Sequence, residues 1–358
     1  MEKIAKFFEC LIPVTCCNLK CEYCYVHQQQ RQLGMMPTFK YSPKQIAAAF
    51  DKERMGGACY ISICGSGETL LVKEVVDIVA ELVKAGHYVN ITNNGTVTRE
   101  LERLISSVDS FLRDRVLLSF SLHYPELKKL GLLSVFAANV KKVHEAGFSI
   151  YVKLNLCESY FPVIEEIKSY CSFHFGALPQ VAVTRKESAF GFRLYTDASN
   201  EEYIKIGEGF RSPRFKIELD SFNRKQTKFC YAGVWSYKAD LANGWIKPCY
   251  CNGKKIDIFS DITSPLPQHP VGHKCKHGYC VNANIFYPLG VIPGVCDDLS
   301  FSDVHDRPEA MWLQPRMKSF LSGKLFEANP RIGNFRRGCY AFSFVVRDLW
   351  HKWFKKKV

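Results

Sequence analysis

The sequence predicts an α/β fold with parallel strands, as a doubly wound sheet or a barrel, complete or partial, followed by a smaller cysteine-rich part. Three observations carry this. Strand-like and helix-like apolar periods alternate regularly from Phe7 to Thr184, the rhythm stops after about Tyr195, and seven of the sixteen cysteines lie beyond that point (Cys230, Cys249, Cys251, Cys275, Cys280, Cys296 and Cys339). A boundary is therefore expected near 190–200, giving domains 1–195 and 196–358.

The first strand is expected over Phe7–Thr15 and ends in a cysteine cluster. Ser42-Pro43-Lys44-Gln45 reads as a capping box with proline at the first helical position, opening a helix that closes at Gly56-Gly57. Cys59–Cys64 is β-like. Leu70–Ala85 places Leu71, Val75, Ile78, Val79 and Leu82 on one helical face. Strand Tyr88–Thr92, helix Arg99–Val108, strand Val116–Leu122, helix Leu133–Ala146, strand Ser149–Leu156, helix Phe161–Cys171 and strand Gln180–Thr184 follow. Gly86 and Gly147 stand where helix C-caps belong. Six strands alternating with five helices imply right-handed crossovers, and such sheets build their reactive face at the C-terminal strand ends. The stretch Cys339–Val358 reads as a helix with a basic end.

Composition narrows the class. The 358 residues are 47% hydrophobic, 23% charged and 13% aromatic, which excludes collagen-like, coiled-coil and disordered chains. No run approaches 18 apolar residues, so no membrane span is expected. The net charge of +13 is diffuse, with local groups at Arg331–Arg337 and Lys352–Lys357, and no nucleic-acid partner is expected. Glu9, Pro13 and the cysteines interrupt any export signal, so a cytoplasmic chain is expected and its sixteen cysteines point to metal-bound or catalytic thiolates rather than disulfides.

Cys17-Asn-Leu-Lys-Cys21-Glu-Tyr23-Cys24 has the spacing C-x3-C-x2-C directly after the first strand. Three thiolates in one loop can hold three corners of a cubic iron–sulfur cluster and leave one iron open. Structural zinc would want four ligands. The motif resembles the signature of the radical S-adenosylmethionine (radical SAM) superfamily, whose open iron chelates the amino and carboxylate groups of SAM. That resemblance implies a partial (β/α)6 barrel, a [4Fe-4S] cluster on Cys17, Cys21 and Cys24, and Tyr23 as the aromatic of the motif.

Further segments fit the resemblance. Cys64-Gly65-Ser66-Gly67-Glu68 resembles the family's Gly-Gly-Glu segment, whose backbone approaches the SAM amino group, although an ordinary strand-to-helix turn reads the same way. Thr92-Asn93-Asn94-Gly95 matches a turn the family carries near the cofactor, and it also reads as a simple polar turn. Ser121, with Ser119 as the second choice, is expected to contact the SAM carboxylate or ribose. His123 is a candidate substrate contact. Lys153 and Asn155 share one strand face, and facing a barrel lumen they would bind cofactor or substrate.

Cys230, Gly244 and Cys249, followed by Cys275-x4-Cys280, resemble the C-x9-15-G-x4-C opening of SPASM and twitch auxiliary domains, with Leu241-Ala-Asn-Gly244 as a hairpin turn in which Asn-Gly favours type I′ geometry. The resemblance implies a small α+β domain with one auxiliary [4Fe-4S] cluster on Cys230, Cys249, Cys275 and Cys280. Cys251 or Cys296 stands as a substitute ligand, and a second auxiliary cluster stays open. A zinc-stabilised domain is the alternative. Cys10, Cys59, Cys157 and Cys171 lie in apolar segments as small hydrophobes, with Cys157 or Cys64 kept open as a hydrogen-atom donor.

The resemblance implies reductive cleavage of SAM to a 5′-deoxyadenosyl radical that abstracts hydrogen from a substrate carbon, with an external electron donor of flavodoxin or ferredoxin type. Only 16 residues precede Cys17, too few for the leader-peptide recognition domain of some peptide-maturing relatives, which favours a small molecule or a peptide recognised elsewhere; oxidation or epimerisation of a small molecule, a sugar or a natural product is the expected reaction. Maturation of a ribosomal peptide, and a non-catalytic zinc- or iron–sulfur-binding interaction protein, are the alternatives.

Overall fold

The computed structural model describes residues 2–29, 34–188, 191–250, 253–273, 275–333 and 337; Cys251, Cys339 and the basic C-terminal segment lie outside them. Strands β1 (Lys6–Ile12), β2 (Cys59–Gly65), β3 (Tyr88–Asn93), β4 (Val116–Ser121), β5 (Ser149–Leu156) and β6 (Gln180–Val183) lie side by side in chain order, each parallel to the next. Parallel neighbours need crossovers, and the predicted helices supply them. The result is the mostly parallel wall of a partial α/β barrel.

Period-two alternation sorts the strand residues. Ile61, Ile63, Val89, Ile91, Leu118 and Val152 face the helices in one apolar core. Phe7, Tyr60, Tyr88, Leu117 and Tyr151 face the other way, into a second core completed by Phe286, Phe301, Met317 and Phe320 from the C-terminal part. The Tyr88 and Phe320 rings stack at 3.7 Å. Most of the burial along this inner face is thus supplied from beyond residue 280, which fixes the floor beneath the C-terminal strand ends.

Several predicted boundaries shift for local reasons. The capping box at Ser42 forms, but the helix stops at Ala49 because the Asp51 carboxylate caps a second short helix, Lys52–Met55. The helix expected at Phe161 begins at Ile164, after a 3-10 turn containing Pro162.

After β6 the chain forms an antiparallel ribbon, β7 (Arg185–Ser188) with β8 (Gly191–Leu194). Strand β9 (Ser236–Asp240) then joins the free edge of β1 in parallel, and β10 (Trp245–Lys247) and β11 (Ile256–Asp257) extend it antiparallel. The expected hairpin is therefore present, as β9 and β10. Its turn differs from type I′: among the described residues Asn243 is not in the left-handed region, only Gly244 is (φ 73°), and the Asp240 carboxylate accepts from the Ala242 and Asn243 amides. A side-chain cap replaces the second left-handed residue.

The β1–β9 register sets Glu9 opposite Lys238. Tyr250 Oη and Asn282 Nδ2 each donate to the Glu9 carboxylate at 2.9 Å, and Lys238 Nζ sits 3.5 Å from the centre of the Tyr250 ring. Desolvation outweighs these partners and raises the Glu9 carboxyl to about 7. A folded-state value above the unfolded one means the fold binds the extra proton, so this contribution is full at acid pH and is lost as pH rises through about 7. Glu9→Gln is expected to flatten the fall in stability between about pH 5 and pH 7 by on the order of 1–2 kcal/mol, read from denaturant midpoints across that range.

Candidate active site

The cysteine loop follows β1 and is fastened on three sides. Gly67 N donates to Val14 O (2.7 Å) and Glu68 N to Cys16 O (2.9 Å), joining it to the turn after β2. Asn18 bridges to the turn after β3: its Oδ1 accepts from Asn94 Nδ2 (2.8 Å) and its Nδ2 donates to Thr96 Oγ1 (2.7 Å). Tyr23 Oη shares hydrogen bonds with His123 Nδ1 (2.5 Å) and Tyr160 Oη (2.9 Å), joining the loop to the end of β4. Burial pulls the His123 imidazole down to about 4, so it is neutral near pH 7.

The glycines after β2 have a role that the sequence did not specify. A Cβ on Gly67 would run into the Cys16 carbonyl, and one on Gly65 would meet Val14 Cγ1 at 2.6 Å. Their missing side chains let this turn lie flat against the cysteine loop. Gly67→Ala is expected to cost about 1–3 kcal/mol through backbone displacement, measured by thermal unfolding, with a parallel loss of iron binding because the cysteine loop loses its support.

Glu68 braces the same junction, with Oε1 accepting from Leu70 N and Oε2 from Asn94 N, both at 2.8 Å. Desolvation nevertheless raises its carboxyl to about 7. The nearby Asn94 side chain works against the rise of the Cys17 thiol.

These pieces surround one cavity of about 370 Å³ at the C-terminal strand ends. Cys17, Cys21, Tyr23, Cys24, Gly65, Gly67, Glu68, Asn93, Asn94, Ser121, Lys153 and Asn155 all line it, and so does His123. Ser119 does not; its Oγ donates to Asn90 Oδ1 (2.7 Å), and Asn90 Nδ2 donates to Ser62 Oγ (2.9 Å), a polar rung inside the wall. Cys64 and Cys157 are also outside the lining.

The far end of the cavity is completed by Cys280, named above as an auxiliary ligand, and by Thr184, Arg185, Arg214, Glu218 and Tyr279, which the sequence reading missed. Thr184 alone had a legible signal, its place just past a parallel strand.

Although Cys17 is exposed as a residue, desolvation of its sulfur pushes the thiol up to about 11, burial takes the Cys21 thiol to about 12, and the neighbouring thiols of the trio add to both shifts. Crowded thiols of this kind become thiolates when a cationic centre binds them. Among the described residues, no group of three or more His, Cys, Asp or Glu is arranged to hold a metal ion as it stands. A cluster asks for something else: its thiolates reach different iron atoms rather than converging on one point.

Comparison with known proteins then decides the class. Residues 11–157 match the family model described as "Radical SAM superfamily". These residues are a radical SAM domain. Its segment contains the whole thiol trio and the turns after β2, β3 and β4.

Among solved structures, the chain is similar to Streptococcus suis SuiB bound to S-adenosylmethionine, with a TM-score of 0.50 and 15% identity over 72% of this chain and 66% of that one. It therefore spans slightly less than two thirds of SuiB. It is also similar to anSMEcpe with bound AdoMet, with a TM-score of 0.50 and 13% identity over 73% of this chain and 80% of that one. At these identities the likeness concerns the fold. No curated protein matches the chain.

The radical SAM family implies a [4Fe-4S] cluster and SAM, and the donor set fits them. Three thiols share one loop, and the polar side chains of Ser121, Lys153 and Asn155 face the cavity without a hydrogen bond among the described residues.

A second thiol set adjoins the far end. The Cys230 thiol is held up by burial and by the thiols of Cys280, Cys249 and Cys275, and Cys280 reaches about 12 from burial, the thiols of Cys249 and Cys275 and the Glu9 carboxyl. Cys296 is influenced instead by Lys324 and by Asp297 and Asp298. Since Cys280 also lines the main cavity, this set adjoins the cavity that the first thiol trio lines.

Proposed function

We propose that this protein is a radical SAM enzyme that opens SAM reductively and uses the 5′-deoxyadenosyl radical to take a hydrogen atom from a substrate carbon, in the oxidation or epimerisation of a small molecule, sugar or natural product. The observation that carries the reading is the single cavity shared by the thiol trio and the cavity-facing polar groups of β4 and β5.

The bound cluster and SAM supply the one-electron chemistry. Cys17, Cys21 and Cys24 are the proposed ligands of that cluster, and Asn94, hydrogen-bonded to Asn18, holds the loop in register. The backbone of Gly65 and Gly67, with Asn93 and Asn94, forms the side against which SAM rests. Ser121, Lys153 and Asn155 orient its polar groups from the opposite wall. Tyr23 is held between His123 and Tyr160, which keeps the motif's aromatic inside the cavity. The apolar floor of Tyr60, Tyr88 and Tyr151 excludes water from below.

Cys230, Cys249, Cys275 and Cys280 are the proposed ligands of one auxiliary [4Fe-4S] cluster. Because Cys280 also lines the cavity, a cluster held by these thiols would supply an electron acceptor next to the substrate, which supports an oxidative outcome. An external flavodoxin- or ferredoxin-type donor supplies the first electron. Among the described residues no helix is long and apolar enough to cross a membrane.

The test is anaerobic reconstitution with iron and sulfide, then SAM and dithionite. The reading expects brown protein and release of 5′-deoxyadenosine; colourless protein with stoichiometric zinc rejects it.

A further inference from the structure

Beside the second thiol set stand two opposite charges that neither the SAM site nor the thiols themselves require. Glu9 on β1 and Lys238 on β9 are cross-strand neighbours. They do not meet directly. Tyr250 Oη and Asn282 Nδ2 occupy the Glu9 carboxylate, each at 2.9 Å, and the Lys238 ammonium lies 3.5 Å from the centre of the Tyr250 ring. Tyr250 therefore stands between them, its hydroxyl on the anion and its ring against the cation. Lys247 Nζ grips the same residue through the Tyr250 carbonyl at 2.6 Å.

These contacts land next to proposed ligands. Tyr250 directly follows Cys249, and Asn282 stands two residues after Cys280. The charges themselves also reach the sulfurs. After burial and the neighbouring thiols, the Glu9 carboxyl adds to the rise of the Cys280 thiol. Burial lowers the Lys238 ammonium, and Glu9 and the Cys249 thiol pull it back up. Lys238 is buried, so little water screens its charge from the site.

We propose that Glu9 and Lys238 set the reduction potential of the auxiliary cluster, in opposite directions, through charges that reach Cys280 and Cys249. The inference rests on the reading that Cys230, Cys249, Cys275 and Cys280 hold one [4Fe-4S] cluster, and adds to it the control of that cluster's redox poise. An entering electron makes the site more negative, so the anion opposes reduction and the cation favours it. Their balance governs how readily the site takes an electron from the substrate.

The test uses the reconstituted holoenzyme at about pH 8, where the Glu9 carboxyl, at about 7, is mostly ionised. Dithionite with redox mediators supplies one electron per cluster, with no bond formed or broken. Electron paramagnetic resonance follows the reduced signal that added SAM leaves unchanged. Glu9→Gln is expected to make reduction of this cluster about tenfold more favourable and Lys238→Met about tenfold less, a rise and a fall in midpoint of about 59 mV each. Both replacements keep the length of the side chain, and a merely structural disturbance has no reason to act with opposite signs.

Unchanged midpoints, or shifts of the same sign, overturn the inference. If Glu9→Gln fails to fold or loses its auxiliary iron, Lys238→Met alone decides, and a midpoint equal to the parent's then overturns it. Iron content separates the two levels. Roughly eight irons in the parent with unshifted midpoints sinks only the tuning, whereas about four irons with 5′-deoxyadenosine still released sinks the auxiliary cluster and the inference with it.

Discussion

Protein carrying Cys17→Ala, Cys21→Ala and Cys24→Ala together is expected to release no 5′-deoxyadenosine from SAM under dithionite, while remaining folded. The loop's position does not depend on its sulfurs. Backbone bonds from Gly67 and Glu68, the Asn18 bridge to Asn94 and Thr96, and the Tyr23–His123–Tyr160 contacts hold it without them. Cys17 is exposed and Cys21 and Cys24 only partly buried, so their truncation opens no core cavity. A thermal midpoint close to that of the parent, together with complete loss of SAM cleavage, is the expected pair of results. Retained cleavage would contradict the assignment of the trio.

Loss of about half the iron is expected from Cys249→Ala, from roughly eight atoms per chain to about four if both sites hold [4Fe-4S] clusters. Cys230→Ala should do the same, but Cys230 is buried at 6% exposure in the second apolar core, so its truncation also carries a packing cost. Cys249 is only partly buried and gives the cleaner measurement. Iron and acid-labile sulfide analysis, with 5′-deoxyadenosine release retained, separates an auxiliary cluster from the SAM-binding one. Full iron content in Cys249→Ala would move that ligand elsewhere, to Cys251 or Cys296.

The strand-helix alternation was legible because parallel strands buried on both faces and amphipathic crossover helices carry strong, distinct periods. The capping box at Ser42 and the glycine C-caps were legible for a similar reason, since each is settled within four residues. The shared place of the thiol trio at one cavity was legible too, because three cysteines within eight residues fall in one loop.

What escaped depends on long-range pairing. Nothing local in Ser236–Asp240 says that it joins β1, yet that register creates the Glu9–Lys238 pair and draws Tyr250 and Asn282 onto Glu9. Phe286, Phe301 and Phe320 read as scattered apolar residues until they meet the inward tyrosines of β2 and β3. Gly67 was legible as special, but its most direct constraint is the Cys16 carbonyl, a contact between segments 51 residues apart in chain position. Arg214 and Thr184 complete the cavity from separate segments that only the fold brings to its lining.

The most direct test of the central claim is electron–nuclear double resonance on the reduced, reconstituted protein incubated with SAM labelled with 15N at the amino group and 13C at the carboxylate. Hyperfine coupling from both labels to the cluster is the expected result, since three protein thiolates leave one iron for SAM. A cluster spectrum unchanged by SAM, with no coupling from either label, would mean that a fourth side chain closes that iron and would contradict the account.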